Sequence, residues 1–151
     1  MDNSLIIIFL FSMVPAVESR YSIPVALATS SMHPVLVYLI CTGLNLLVIP
    51  IVFVGLDSLA PFLVKRYEWA RSFFSWALKR NYDKNLGYLG LALFVAVPLP
   101  ATGAYTGTVI AYLLGMDRKK ASLAIALGAS SAALLTTLVS LGILSLSGLF
   151  L

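Results

Sequence analysis

The sequence predicts an all-α membrane protein built as an inverted repeat: two re-entrant helical hairpins and two transmembrane helices, with an interfacial amphipathic helix between the halves. Three observations lead there. Of the 151 residues 60% are hydrophobic and 11% charged, with a mean hydropathy of +0.99, a composition that would leave Leu, Ile and Val facing water on every side of a soluble core. Two of the four apolar stretches, 4–32 and 86–115, are interrupted near their centres by proline and polar residues. The basic residues, in turn, concentrate in two short segments between apolar stretches, which sets an orientation. A single membrane domain covers 1–151.

Residues 1–33 are the first hairpin. LIIIFLFSMV resembles a secretory h-region, but Asp2 precedes it and no Lys or Arg does, so the segment is expected to be retained. It supplies arms at 4–14 and 21–32, each too short to cross a hydrocarbon core of about 30 Å. Between them lies SMVPAVESRYSIP, where Pro15 and Pro24 shape the backbone and Glu18 and Arg20 place charges in apolar surroundings. The apolar run 34–56, extended to 34–64, is transmembrane helix 1. Near its cytoplasmic end Asp57, ahead of Ser58 and Pro61, reads as a helix N-cap. His33, with no Cys or carboxylate beside it in sequence, reads as interfacial rather than as a metal ligand, and Cys41 as a buried, inert thiol.

Residues 65–84, KRYEWARSFFSWALKRNYDK, carry six cations and two anions. At helical spacing Trp69, Phe73, Trp76 and Ala77 share a face opposite Lys65, Glu68, Arg71 and Lys79, so this helix should lie flat on the inner leaflet against anionic lipid headgroups. The second hairpin, 86–116, has arms at 86–97 and 104–115, each about 18 Å long at helical rise. Its centre, VAVPLPATGAYTG, contains Pro98 and Pro100, which remove amide donors and clash with the preceding turn. The run 121–146 is transmembrane helix 2.

DRKK at 117–120 adds a net +2, leaving the rest of the chain at −2. Cations concentrated in two inter-membrane segments, all but Arg20, read as cytoplasmic loops and not as a nucleic-acid site. Were 86–115 to cross the bilayer, those segments would face opposite sides; a hairpin that enters and leaves by one face keeps both cytoplasmic. The first hairpin then dips from the outer face and the second from the inner one. Hairpin plus helix thus occurs twice in opposite orientation, as in many secondary transporters with a midplane site. The halves align with two single-residue gaps: Tyr21 lies 84 positions before Tyr105, Met32 84 before Met116, and Gly43 85 before Gly128.

Glu18 invites two readings. It is either a coupling carboxylate that binds and releases a proton or cation, or half of a structural ion pair with Arg20 that closes off freed backbone groups. Arg20 could also hold an anion, since its guanidinium fork suits phosphate or carboxylate. Tyr21 and Tyr105 follow the two breaks at matching places and either reach into a cavity or pack. Thr102, Gly103, Thr106 and Gly107 follow the second break, where half-helix amides could hold an anionic group. Asn45, matched in the repeat by Ser130, is a path-lining residue or interhelical glue. The small residues Gly128 to Ala133 let another backbone approach, from a hairpin or from a second subunit.

VPAVESRYSIPVA followed by VPLPATGAYTG, in a chain of this length, resembles the prokaryotic small multidrug export proteins, distant relatives of the DedA superfamily. The resemblance covers nearly the whole chain and implies two facing re-entrant hairpins in a prokaryotic multi-pass cell-membrane protein. Glu18 with Ile23-Pro24 is similar to the acidic, proline-containing motif of the DedA first hairpin, and Gly103 to Gly107 to the glycine-rich exit of the second. DedA second hairpins usually carry an arginine near their proline; here 98–102 has none.

A small multidrug exporter, or an ion-coupled transporter or flippase working by alternating access on an amphiphilic or lipid-phosphate-like substrate, is the leading functional expectation. A non-transporting membrane-shaping or scaffold protein is the alternative. No enzyme activity, cofactor or metal is expected, and no phosphate-binding glycine-lysine-serine loop occurs, so ATP is not the direct driver. Expected partners are membrane lipids, H+ or Na+ as coupling ion and, from the chain's small size, a second copy in a homodimer.

Overall fold

The apolar runs of the chain form helices, short ones on either side of the two interruptions and long ones elsewhere. In a computed structural model, which describes residues 3–14, 18–66, 68, 84–97 and 102–149, these are α1 (Asn3–Phe11), α2 (Glu18–Thr29), α3 (Pro34–Arg66), α4 (Lys84–Ala96), α5 (Ala104–Leu113) and α6 (Arg118–Leu149). No strand occurs among the described residues. The order short, short, long therefore appears twice.

Helical rise separates the two kinds of element. α3 and α6, with 33 and 32 residues, extend about 50 Å. α1, α2, α4 and α5, with 9 to 13 residues, extend about 14 to 20 Å, less than the roughly 30 Å of a hydrocarbon core. Two helices, over Pro34–Phe62 and Arg118–Ile143, are long and apolar enough to cross a membrane. Their outer faces are bare: Val54 and Leu123 are 65% exposed and Leu127 68%, surfaces that lipid accepts and water does not. α3 continues through Pro50 and Pro61.

The long helices run antiparallel. Tyr38, near the start of α3, donates to the Ser130 carbonyl at 3.4 Å, and Asp57, near its end, makes a bidentate pair at 2.6 and 2.7 Å with Arg118, the first residue of α6. Asp57 is thus inside α3 and not the N-cap expected of it, because the helix does not stop at Pro61. The true cap is Asp117, whose Oδ1 accepts from Lys120 N at 3.0 Å at the start of α6. His33 plays a similar part for α3, its Nδ1 accepting from Val35 N at 3.3 Å.

α4 begins beside the start of α6, where Tyr88 Oη accepts from Asp117 N at 3.0 Å, and α5 returns to the same end. The return closes with Gly115 at φ 61°, where Met116 N bonds Ala111 O and Gly115 N bonds Tyr112 O, a left-handed helix cap suited to glycine. The backbone admitted by the small run at 128–133 is that of α4: a Cβ at Gly128 would stand 2.5 Å from the Ala92 carbonyl and 2.9 Å from Val95 Cβ. Leu91, Val95, Ala104, Ala111, Ile125 and Ala129 share the core there. A second core, Ile23, Ala26, Val37, Cys41 and Ala133, joins α2 to α3 and α6, with Cys41 buried and free.

The amphipathic helix expected at 65–84, apart from its ends, lies outside the described residues, as do Pro15, Pro98 and Pro100. Packing sorts two glycines for test. Gly128→Ala should lower thermal stability in detergent by about 1–3 kcal/mol, since backbone stands in the way. Gly43→Ala, which meets nothing within 4 Å, should be neutral or stabilising by up to about 1 kcal/mol; equal effects at both positions would contradict the α4–α6 contact.

Candidate functional site

Both helix interruptions free backbone groups, and the structure brings the two together. α2 starts at Glu18, so the charges that the sequence placed in the break belong to the first turn of a helix; the second arm begins at 18 and not at 21. Glu18 takes a left-handed conformation, φ 49°, which costs a non-glycine residue about 1–2 kcal/mol, and its own amide bonds the Val14 carbonyl at 3.1 Å. Its carboxylate, 6% exposed, crosses to the other break. Oε2 accepts from Ala104 N at 3.4 Å and Oε1 from Tyr105 N at 3.5 Å.

Those amides are the first two of α5, whose N-cap, Gly103, provides no side-chain acceptor. Glu18 is therefore a cap supplied from another helix, its charge set against the positive end of the α5 dipole. Gly103 is what admits it: a Cβ there would lie 1.8 Å from Glu18 Oε2. The half-helix terminus that the sequence marked as an anion site thus meets the chain's own carboxylate.

Arg20 answers the other half of the break. Its Nη2 donates to the carbonyls of Val95, in the last turn of α4, at 2.9 Å and of Thr102 at 3.1 Å, while Nη1 donates to Thr102 Oγ1 at 2.8 Å. Thr102 Oγ1 in turn donates to the Val97 carbonyl at 2.7 Å. The cation thus sits at the carbonyl end of α4 and the anion at the amide end of α5, each where the helix dipole favours it. Tyr105 returns the contact by donating its hydroxyl to the Met13 carbonyl, just past α1.

The remaining candidates divide. Tyr21 is 51% exposed and borders a groove with Ile8, Phe11, Ser22 and Val25, away from the junction that Tyr105 reaches. Pro24 lies within α2, half-buried. Asn45, 2% exposed, faces α2, where its Nδ2 donates to Ser19 Oγ at 3.2 Å. Gly107 packs against Val95 and Ile125. Sequence reading missed Ser12, Ser19, Ser22 and Thr42, all buried polar residues at the α1–α2–α3 junction. The signal was present in the spacing: Ser19 with Ser22, and Thr42 with Asn45, are polar pairs three apart in apolar helices.

Two apolar helices of spanning length, together with charged caps shared between short broken helices, define a helical membrane protein. The family described as "Putative small multi-drug export protein" matches residues 18–135, and the chain belongs to it. That match begins at Glu18 and takes in the residues of the junction except Met13 and Val14. Searches of the curated proteins and of the solved structures return no match.

If Gly103 serves to admit the carboxylate, Gly103→Ala and Glu18→Ala disrupt one joint. Each should cost about 2 kcal/mol, and the double variant little more than the larger single one, measured by thermal unfolding in detergent. Additive losses would separate the two residues.

Proposed function

We propose that this protein is an ion-coupled exporter of amphiphilic or anionic, lipid-phosphate-like molecules, working by alternating access in the cell membrane, with H+ or Na+ as the coupling ion. In this reading α1–α2 and α4–α5 are re-entrant hairpins that enter from opposite faces and meet at mid-depth. Several features support it. Asp57 and Arg118 bring the C-terminal part of α3 and the start of α6 to one end of the bundle, so Lys65, Arg66 and Lys119 share the face taken as cytoplasmic. Asn45, beside Ser19, is eleven residues from the start of α3, about 16 Å along it and near the middle of a bilayer core. Short broken helices whose ends converge at such a depth are a usual place for substrate and ion sites.

The observation that carries the reading is the Glu18 carboxylate, buried and holding the first amides of α5 by long hydrogen bonds. Neutralising it by a proton or a bound cation weakens its hold on the positive end of that helix, loosens one hairpin tip from the other, and so links ion loading to the opening of one face. Arg20, at the carbonyl end of α4, is the group an anionic headgroup would engage by exchange with Val95 and Thr102. A distant kinship with DedA-type proteins fits this arrangement, with the arginine at the second break supplied by the first hairpin. Lipids surround the bundle, a homodimer is the assembly expected for its size, and the reading is of a transporter, not an enzyme.

Reconstituted vesicles test it. Efflux of a cationic dye or a fluorescent lipid phosphate, driven by an imposed pH or sodium gradient, should fall in Glu18→Gln to the level of protein-free vesicles. Glutamine keeps the shape and one acceptor oxygen, enough for one of the two amides of Ala104 and Tyr105, so the fold should survive with a weakened joint. Efflux unchanged in that variant would return Glu18 and Arg20 to a purely structural capping role, whereas no gradient-driven efflux from the unmodified protein would favour the non-transporting scaffold.

A further inference from the structure

Hydroxyl groups buried in helices have a ready local partner, the carbonyl four residues back. Thr108, Thr137 and Ser140 use it, at 2.6, 2.8 and 2.7 Å. Ser12, Ser22 and Thr42 do not. Their oxygens, with Asn45 Oδ1, are buried and meet no oxygen or nitrogen partner among the described residues; Ser12 has only the Cys41 thiol, a weak hydrogen-bonding group. All four residues are 6% exposed or less, so each leaves a polar atom in apolar surroundings, where an unmet partner costs about 1–3 kcal/mol.

These atoms belong to one place. Thr42 and Asn45 lie a turn apart on α3, and Ser19 and Ser22 a turn apart on α2. Asn45 Nδ2 bonds Ser19 Oγ, which pins the two helices at that level and fixes Oδ1 as the free end of the amide. Ser12, just past α1, lies against the thiol of Cys41, the neighbour of Thr42, and Ser22 borders α1 beside Ile8 and Phe11. α1, α2 and α3 thus each bring oxygen to their common junction.

We propose that Ser12, Ser22, Thr42 and Asn45 form a binding site for one sodium ion. The donor set decides the ligand. Asn45 Oδ1 can only accept, and the hydroxyls can turn their lone pairs inward, so the site is a group of hard, neutral oxygens suited to a hard cation. A divalent ion would require several carboxylates, and among the described residues no three acidic, histidine or cysteine side chains converge. The four donors are neutral and the Glu18 carboxylate is engaged by the α5 amides, so the site offers no negative charge of its own and suits a monovalent ion at most. The inference rests on the transport reading for its meaning: it makes sodium, not the proton, the coupling ion.

The test is binding to the purified protein in detergent. Thermal unfolding in sodium chloride should exceed that in potassium or choline chloride at equal ionic strength by at least about 3 °C at saturation, and 22Na+ should bind in a scintillation proximity assay. Thr42→Val removes one oxygen with little change of shape, and Ser22→Ala does so from the facing helix; each should abolish the sodium-specific shift while unfolding normally in choline. Equal unfolding in all three salts with no 22Na+ binding would overturn the site, as would a sodium shift that survives both substitutions. Gradient-driven efflux without sodium binding would overturn this inference and leave the transport reading intact. Sodium binding without efflux would support the site and count against the transport reading.

Discussion

Peptide groups freed by a broken helix must find partners where water is scarce, and this bundle depends on how it meets that requirement. α4 ends with bare carbonyls and α5 begins with bare amides, both in an apolar interior. Local sequence offers little relief: Gly103 has no side chain to cap with, and Thr102 turns back to the Val97 carbonyl. The partners come from the start of α2. Two side chains of opposite charge, two residues apart, meet two helix ends of opposite polarity, anion to amides and cation to carbonyls. Neither charge is isolated, and neither helix end is left open.

That arrangement fixes other choices. Glu18 can aim its carboxylate at α5 while Arg20 turns to α4 because its own backbone is left-handed, a cost the two long hydrogen bonds and the favourable end of the α5 dipole offset. The approach also demands room. Gly103 gives way to the carboxylate, Gly107 to Val95, and Gly128 to the backbone of α4. A chain that shares caps between helices needs small residues at each crossing, as membrane bundles do where close backbone contact replaces the hydrophobic drive between helices.

The joint is also asymmetric in a way that bears on function. Tyr105 reaches back to the Met13 carbonyl, so the tip of the first short-helix pair depends on the second for one contact, while the second depends on the first for both its caps. Beside α2, Ser12, Ser22, Thr42 and Asn45 hold the buried side-chain oxygens that lack an oxygen or nitrogen partner among the described residues, a few residues from a junction held by charged caps. Polar groups left unmet in an otherwise well-paired interior mark a place where something besides packing has shaped the sequence.

By itself the sequence determined the helical class, the two long apolar helices and the interruption between 97 and 103, because composition and proline placement act locally and need no knowledge of neighbours. It also singled out Glu18 and Arg20 as residues that require an explanation. It could not place them: read along the chain Glu18 was either a coupling carboxylate or a partner for Arg20, and Asp57 a cap, because sequence shows only neighbours within a few residues. Which helix end each charge serves, that Asp57 meets Arg118, and that Gly103 makes space for a side chain 85 positions away are contacts between distant segments. Tertiary structure decided those, since the energy of a cap or a crossing depends on which surfaces are brought together, and no local pattern encodes that.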